Sequence, residues 1–238
     1  MQYFTFIKVY IIIRLILLVS TSITSNAITI KIKGTGRQQI FNSEFSRPPT
    51  TIYFQDEVLS IINNNEIDIH GTESENEIIL VWEPQITNCK NMFNDLINII
   101  EVDLSKFSPS YCSSMRKMFT KDINLISIYM NNFDTSNCND MNNMFSSCIS
   151  LESLDLSNFD TRQVTNMDSM FFNCSSLITL VLSNFDTSLV TTMYNMFGDC
   201  VSLISLILNN WNTNLVQNMN RMFRLCSSLI SLDLNHFN

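Results

Sequence analysis

The sequence predicts an α/β repeat solenoid preceded by a β-rich cap, and three observations carry that prediction. A Met-Phe pair recurs at Met92-Phe93, Met118-Phe119, Met144-Phe145, Met170-Phe171, Met196-Phe197 and Met222-Phe223, every 26 residues and without insertion. Three positions before each pair stand Cys89, Met115, Met141, Met167, Met193 and Met219. An aromatic recurs in phase at Phe107, Phe133, Phe159, Phe185, Trp211 and Phe237. Self-similarity at a fixed period marks a stack of small units, none of which can bury its apolar side alone.

The copy from Leu151 to Ser176 shows what one unit is made of. Leu154 and Leu156 alternate with Ser153, Asp155 and Ser157, the period of a half-buried strand. Met167, Met170 and Phe171 stand at i, i+3 and i+4, which share one face of a helical turn, and Thr165 or Asn166 is placed to cap it. Each unit is therefore expected as a short parallel strand, a corner, one helical turn and a return corner. Six such repeats fill residues 89–238, the last incomplete. Stacked at the strand spacing of about 4.8 Å, they share one core roughly 25–30 Å long. Leu151, Leu154, Leu156, Phe159, Met167, Met170 and Phe171 fill one layer; every copy carries the stripe, so it reads as core and not as a cofactor pocket.

The spacing Leu-x-x-Leu-x-Leu sits close to the leucine-rich-repeat signature. The fuller run from Ser150 to Thr161, then Val164 to Cys174, resembles the BspA-like leucine-rich-repeat surface proteins of bacteria and protists, over about residues 89–238. The resemblance implies a solenoid of leucine-rich-repeat type, secreted or displayed at a surface and used for adhesion or protein binding. It brings no catalytic residues with it. The first two copies depart from the pattern: Leu96 and Asp122 replace the later Cys, and Ser108-Pro109 replaces Asp-Thr, as in an adapted end of the array.

Residues 28–88 read as that array's β-rich leading cap. Strands are expected at Ile28–Lys33, Thr51–Phe54, Glu66–Ile69 and Glu77–Trp82, with a hairpin turn at Gly34-Thr35-Gly36. Trp82 and Ile86 are the expected docking residues. Residues 1–27 read as a secretory signal: a basic Lys8, an apolar run broken by Arg14, and Ser25 and Ala27 at the −3 and −1 positions of a cleavage site. The run is shorter than the roughly 20 residues of a membrane span, although an uncleaved anchor is the alternative. No Cys precedes Cys89 and no apolar tail precedes Asn238, so no lipid anchor is expected at either end.

Composition narrows the function classes. The formal net charge is −8 and the sequence pI about 4.7, the wrong sign for a nucleic-acid partner. With two His and four Gly, and without the nucleophile-elbow, zinc-protease or phosphate-loop motifs, no catalytic residue, cofactor or metal site is expected. Gly34-x-Gly36 lacks the third glycine and the following helix of a phosphate loop. Cys148, Cys174, Cys200 and Cys226 form a ladder expected as buried thiols, with pairing between neighbours left open; Cys112 and Cys138 share a column with Val164, Val190 and Val216, and read as packing. Asp134, Asp160 and Asp186, continued by Asn212 and followed by Thr, are expected to accept backbone amides at a corner, not to bind calcium.

One outward strand column varies while its neighbours do not: Asp103, Tyr129, Asp155, Val181, Ile207 and Asp233. Tyr129, Asp155, Val181, Ile207 and Asp233 are the candidate partner-binding face, beside a column of Ser127, Ser153, Thr179, Ser205 and Ser231. Asn173-Cys174-Ser175 is an N-glycosylation acceptor motif. Three readings follow. The first is a non-catalytic adhesion or protein-binding module at the cell surface or in the extracellular space. Its partner would be a protein or a cell-surface or matrix macromolecule, with no stable membrane span once the signal is removed. The second is a structural protein self-associating through its last coil. The third is an intracellular repeat scaffold.

Overall fold

A computed structural model describes residues 26–55, 57–63, 65–70 and 73–237. Apart from Asn26 and Ala27, the signal segment expected over residues 1–27 lies outside the described residues. The chain forms a β-sheet cap followed by six stacked coils, numbered here by their Met-Phe pairs.

The cap is built on β1 (Ala27–Lys33), in which Ile28, Ile30 and Ile32 are fully buried while Thr29 and Lys31 lie on the wetter face. β1 pairs antiparallel with β6 (Glu75–Val81) on one side and with β7 (Ile99–Asp103) on the other. β7 is already the strand of coil 1, so the cap and the repeats share one six-stranded sheet. With β3 (Thr51–Phe54), β4 (Glu57–Leu59) and β8 (Ser127–Tyr129), its order is β4-β3-β6-β1-β7-β8. β2 (Gly36–Gln39) and β5 (Glu66–Ile69) form a separate antiparallel pair. The turn at Gly34 and Gly36, both at positive φ, therefore closes no hairpin; it passes the chain from one sheet to the other. Trp82 is fully buried, its ring set edge-on against Phe45 and Phe107, and its Nε1–H donates to the Arg47 carbonyl at 2.9 Å.

The helical turn expected in each coil does not form, and the α/β assignment is corrected: among the described residues there is no helix, and the regular structure is all β. Met115, Met118 and Phe119 all point inward, as their spacing requires, and all are fully buried. The backbone between them is different. Lys117 and Lys121 adopt φ of 56° and 64°, and the equivalent residues in the other coils do the same: Asn143 and Ser147, Ser169 and Asn173, Asn195 and Asp199, Arg221 and Leu225. A left-handed residue every fourth position interrupts the i→i−4 bonding of an α-helix. Alternate amides instead close tight turns, as Met118 N–H to Met115 O at 3.1 Å, or reach the next coil. Met115, Lys117, Phe119 and Lys121 donate to Asp140, Asn142, Met144 and Ser146 at 2.8–3.0 Å. A left-handed L-residue costs about 1–2 kcal/mol, which the inter-coil bonds offset.

Stacking puts like upon like. Phe93, Phe119, Phe145, Phe171, Phe197 and Phe223 form a column of near-parallel rings with centroids 5.6–5.7 Å apart. That exceeds the strand spacing of about 4.8 Å, so the rings are offset, the arrangement their quadrupoles favour. Met144, Met170 and Met196 are fully buried beside them. A second aromatic column runs from Phe107 through Phe133 and Phe159 to Phe185, and Trp82 of the cap closes its end.

The cap also completes the first coil's hydrogen bonds. Inside the array the carbonyls of Met118 and Thr120 accept from coil 1. In coil 1 itself the matching carbonyls, Met92 and Asn94, both accept from Asn42: its backbone N–H at 2.9 Å and its Nδ2 at 2.6 Å. One residue thus substitutes for a missing coil. Replacing Asn42 by Ala should cost about 1 kcal/mol, the usual net worth of one such bond. The midpoint of urea unfolding, at unchanged slope, checks this.

The thiol ladder is reduced in the structure. Cys148, Cys174, Cys200 and Cys226 each donate Sγ–H to the carbonyl of the Phe one coil back, at 3.0–3.1 Å. Burial pushes the Cys174 thiol up to about 12, and raises Cys148, Cys200 and Cys226 as well. Cys112 is not mere packing: it forms a disulfide with Cys89, Cα atoms 5.9 Å apart. In coil 2 the same two positions hold Met115 and Cys138, so Cys138 stays a free buried thiol, raised to about 11 by burial.

Asp122 occupies the Cys column in coil 2 and is fully buried. Its Oδ1 accepts the Leu96 amide at 2.8 Å, while Oδ2 has no partner. Burial drives its pKa well above 3.8, outweighing the Leu96 bond that lowers it. The folded state thus holds a proton that the unfolded chain releases above about pH 4. Asp122 therefore opposes folding increasingly as pH rises from 3.8 toward its folded pKa, and imposes no such cost below that window. Asp122→Cys, the residue of the later coils, should stabilise the protein by about 2 kcal/mol at pH 7 and confer little at pH 3.5. Thermal midpoints of parent and variant across that range test the sign.

Candidate recognition face

The outward side of the strands is where this scaffold leaves variation free. In β8, β9 (Thr179–Val181) and β10 (Ser205–Ile207) the central residue is buried and the last points to solvent. Tyr129, Val181 and Ile207 are 47%, 54% and 38% exposed. Asp155 and Asp233 occupy the same column in coils 3 and 6 and are exposed too. Parallel pairing aligns Asp103 with Tyr129 and Val181 with Ile207.

A second column was not singled out from the sequence. Ile126, Ile178, Ile204 and Ile230 recur 26 residues apart and are all exposed, with Glu152 filling the coil-3 position. Its signal in the sequence is the 26-residue recurrence of Ile, the same offset that displays the variable column. The two apolar columns flank the Ser/Thr column and together make an apolar strip across coils 2, 4 and 5; coil 3 is charged in both columns, and Asp103 and Asp233 end one of them.

The break at coil 3 is also a break in the sheet. β8 pairs with β7 and β9 with β10, but no strand is assigned between Leu151 and Leu156. The Asp155 carboxylate turns back to accept the Ser157 amide at 2.9 Å. That bond holds its pKa below the ordinary carboxylate value. A groove of about 410 Å³ opens here, lined by Ser153, Asp155, Leu156, Thr179, Val181 and Asn184, among others. Asn184 spends its Nδ2 on the Leu156 and Phe159 carbonyls, at 3.0 and 3.1 Å.

The acidic corner column serves the scaffold. Asp134, Asp160, Asp186 and Asn212 each accept the amide two residues on, at 2.9–3.1 Å. Arg162 also pairs with Asp160, and that side-chain hydrogen bond is the main reason its pKa is lowered. Thr135 Oγ1 donates to the Asp160 carbonyl at 2.9 Å and accepts its amide at 2.8 Å, so the stacked Thr tie coil to coil. Among the described residues no cluster of His, Cys, Asp or Glu is placed to hold a metal, and no helix is long and apolar enough to cross a membrane. Asn173 lies half-buried at positive φ, its Nδ2 donating to Ser147 Oγ at 3.3 Å.

Comparison with known proteins gives one match. The model of a family described as Mycoplasma protein of unknown function, DUF285, matches residues 87–181 and again residues 154–238. The two matches overlap, as repeated units permit, and together they run through all six coils. No curated protein and no solved structure matches the chain. With more than half its length covered by that repeat-bearing model, the chain belongs to the DUF285 family.

Proposed function

We propose that this is a non-catalytic binding protein, secreted or displayed at the cell surface, which holds another protein or a cell-surface or matrix macromolecule on its strand face. The observation that carries the reading is the apolar strip: Ile126, Tyr129, Ile178, Val181, Ile204 and Ile207 are all exposed on one face that nothing among the described residues covers. Aligned exposed apolar side chains of this kind mark interaction surfaces. The Cys89–Cys112 disulfide supports an oxidising compartment, since such bonds are rare in reducing cytosol. The DUF285 match and the Ser150–Cys174 motif support kinship with BspA-like surface proteins. Under this reading residues 1–27 are a cleaved signal, residues 28–88 the cap and residues 89–238 the binding array. Amino-terminal sequencing of the secreted protein should begin at Ile28; an uncleaved Met1 would return the anchor reading.

The double variant Tyr129→Asp/Ile207→Asp tests the face. Both residues are exposed, so stability should move by less than about 0.5 kcal/mol. Binding to cells or extracellular matrix should fall at least about tenfold, as when central apolar contacts are lost. Unchanged binding by a stable variant would remove this face from the function.

A further inference from the structure

Coil 3 differs from its neighbours in both apolar columns at once. Where coils 2, 4 and 5 present Ile126 and Tyr129, Ile178 and Val181, Ile204 and Ile207, coil 3 presents Glu152 and Asp155. Glu101 on the same side of coil 1 is neutralised by Lys31 at 3.4 Å. Among the described residues neither Glu152 nor Asp155 is in an ion pair. Beside Asp155 the strand ladder is interrupted, and the groove of about 410 Å³ opens between coils 3 and 4. Its walls add the hydroxyls of Ser153 and Thr179, while the one amide donor on its rim, Asn184 Nδ2, is already committed to backbone carbonyls. The groove's one charged group is the Asp155 carboxylate, and its hydroxyls can accept from or donate to a ligand.

We infer that this groove receives a lysine or arginine side chain of the bound protein, whose neighbouring apolar side chains lie on the columns to either side. The inference rests on the strand face being a binding surface and adds the chemistry of what it binds. A Lys or Arg suits the site because its aliphatic stem can run along Val181 while its head meets Asp155, the groove's one charged lining residue, with Glu152 of the same coil adding to the negative charge. A free divalent cation does not suit it, because calcium needs six to eight oxygen ligands and gains nothing from apolar walls. Anionic polymers are repelled. Apolar side chains of the partner laid over Val181 exclude water from the contact, so the charge-assisted pair is stronger than a fully exposed one.

The test uses the secreted full-length chain, labelled for amide NMR, and three synthetic peptides: acetyl-Ile-Thr-Lys-Thr-Ile-amide and its versions with Glu or Ser at the centre. The Lys peptide should shift the amides of Ser153, Asp155 and Thr179 and bind about tenfold tighter than the Ser peptide, with the Glu peptide weakest. Asp155→Asn keeps an acceptor for the Ser157 amide, and Glu152→Gln keeps its shape. The double variant, or Asp155→Asn alone if the double variant does not fold, should lose the Lys preference and keep the Ser-peptide affinity. Added salt should erode the same preference. Equal binding of all three peptides, or a Lys preference that survives the substitutions, would overturn the inference and leave the binding face standing. Silence of the whole strand face toward every peptide would overturn both.

Discussion

Replacing Phe171 by alanine is expected to destabilise the protein by about 4 kcal/mol, the larger of the two strongest effects foreseen. Phe171 is fully buried and stacks on Phe145 at 5.7 Å and on Phe197 at 5.6 Å. Removing the ring forfeits its transfer free energy and leaves a void whose floor and ceiling are rings of neighbouring coils, which cannot collapse without breaking their own stacking. Phe223 in coil 6 is only partly buried and stacks on Phe197 alone, at 5.7 Å. Phe223→Ala should therefore cost less than half as much. Because each coil touches only its neighbours, a severe lesion in coil 4 should also let the coils on its two sides melt separately, whereas the lesion in coil 6 should not. Chemical unfolding followed by circular dichroism and by Trp fluorescence would show this, since Trp82 and Trp211 lie on opposite sides of coil 4.

Breaking the Cys89–Cys112 bond with serine at both positions should cost about 3 kcal/mol, from the entropy regained by an unfolded chain freed of a closed loop. The bond spans 23 residues and lies in coil 1, the unit that joins the cap sheet to the array through β7. Its loss should loosen the cap together with coil 1 before the later coils. Alkylation of the denatured, unreduced protein should mark five of the seven cysteines. In the folded protein Cys148, Cys174 and Cys200 should resist the reagent, being buried with their pKa values raised. Seven reactive thiols in the denatured protein would show that the bridge is absent.

The residues that meet the core were legible in the sequence because burial follows column identity, and a 26-residue period displays the columns directly. The corner roles of Asp160 and Thr135 were legible for the same reason: short polar side chains at a turn have few uses. The conformation of Met115 to Phe119 was not. A spacing of i, i+3 and i+4 brings three side chains inward on a helix, but a chain kinked by left-handed residues can do the same. The choice is made by bonds to the neighbouring coil, which no single copy displays. Asn and Asp at several of those positions, Asn143 and Asp199 among them, were the available hint. Cys89 and Cys112 sit in Met and Val columns, so their pairing is visible only once the coil's path is known. Asp155 read as one member of a variable column; that its coil interrupts the sheet and opens a groove depends on Ser153, Leu156 and Thr179 around it.

Coils lying side by side around one interior can be tested most directly through methionine methyl NMR with a soluble paramagnetic agent. The methyls of Met144, Met170 and Met196, each fully buried, should escape broadening, show Overhauser contacts from each coil to the next and be shifted upfield by the adjacent Phe rings. Methyls that broaden with the agent and resonate at random-coil positions would contradict the stacked core, and with it the recognition face that the core holds in place.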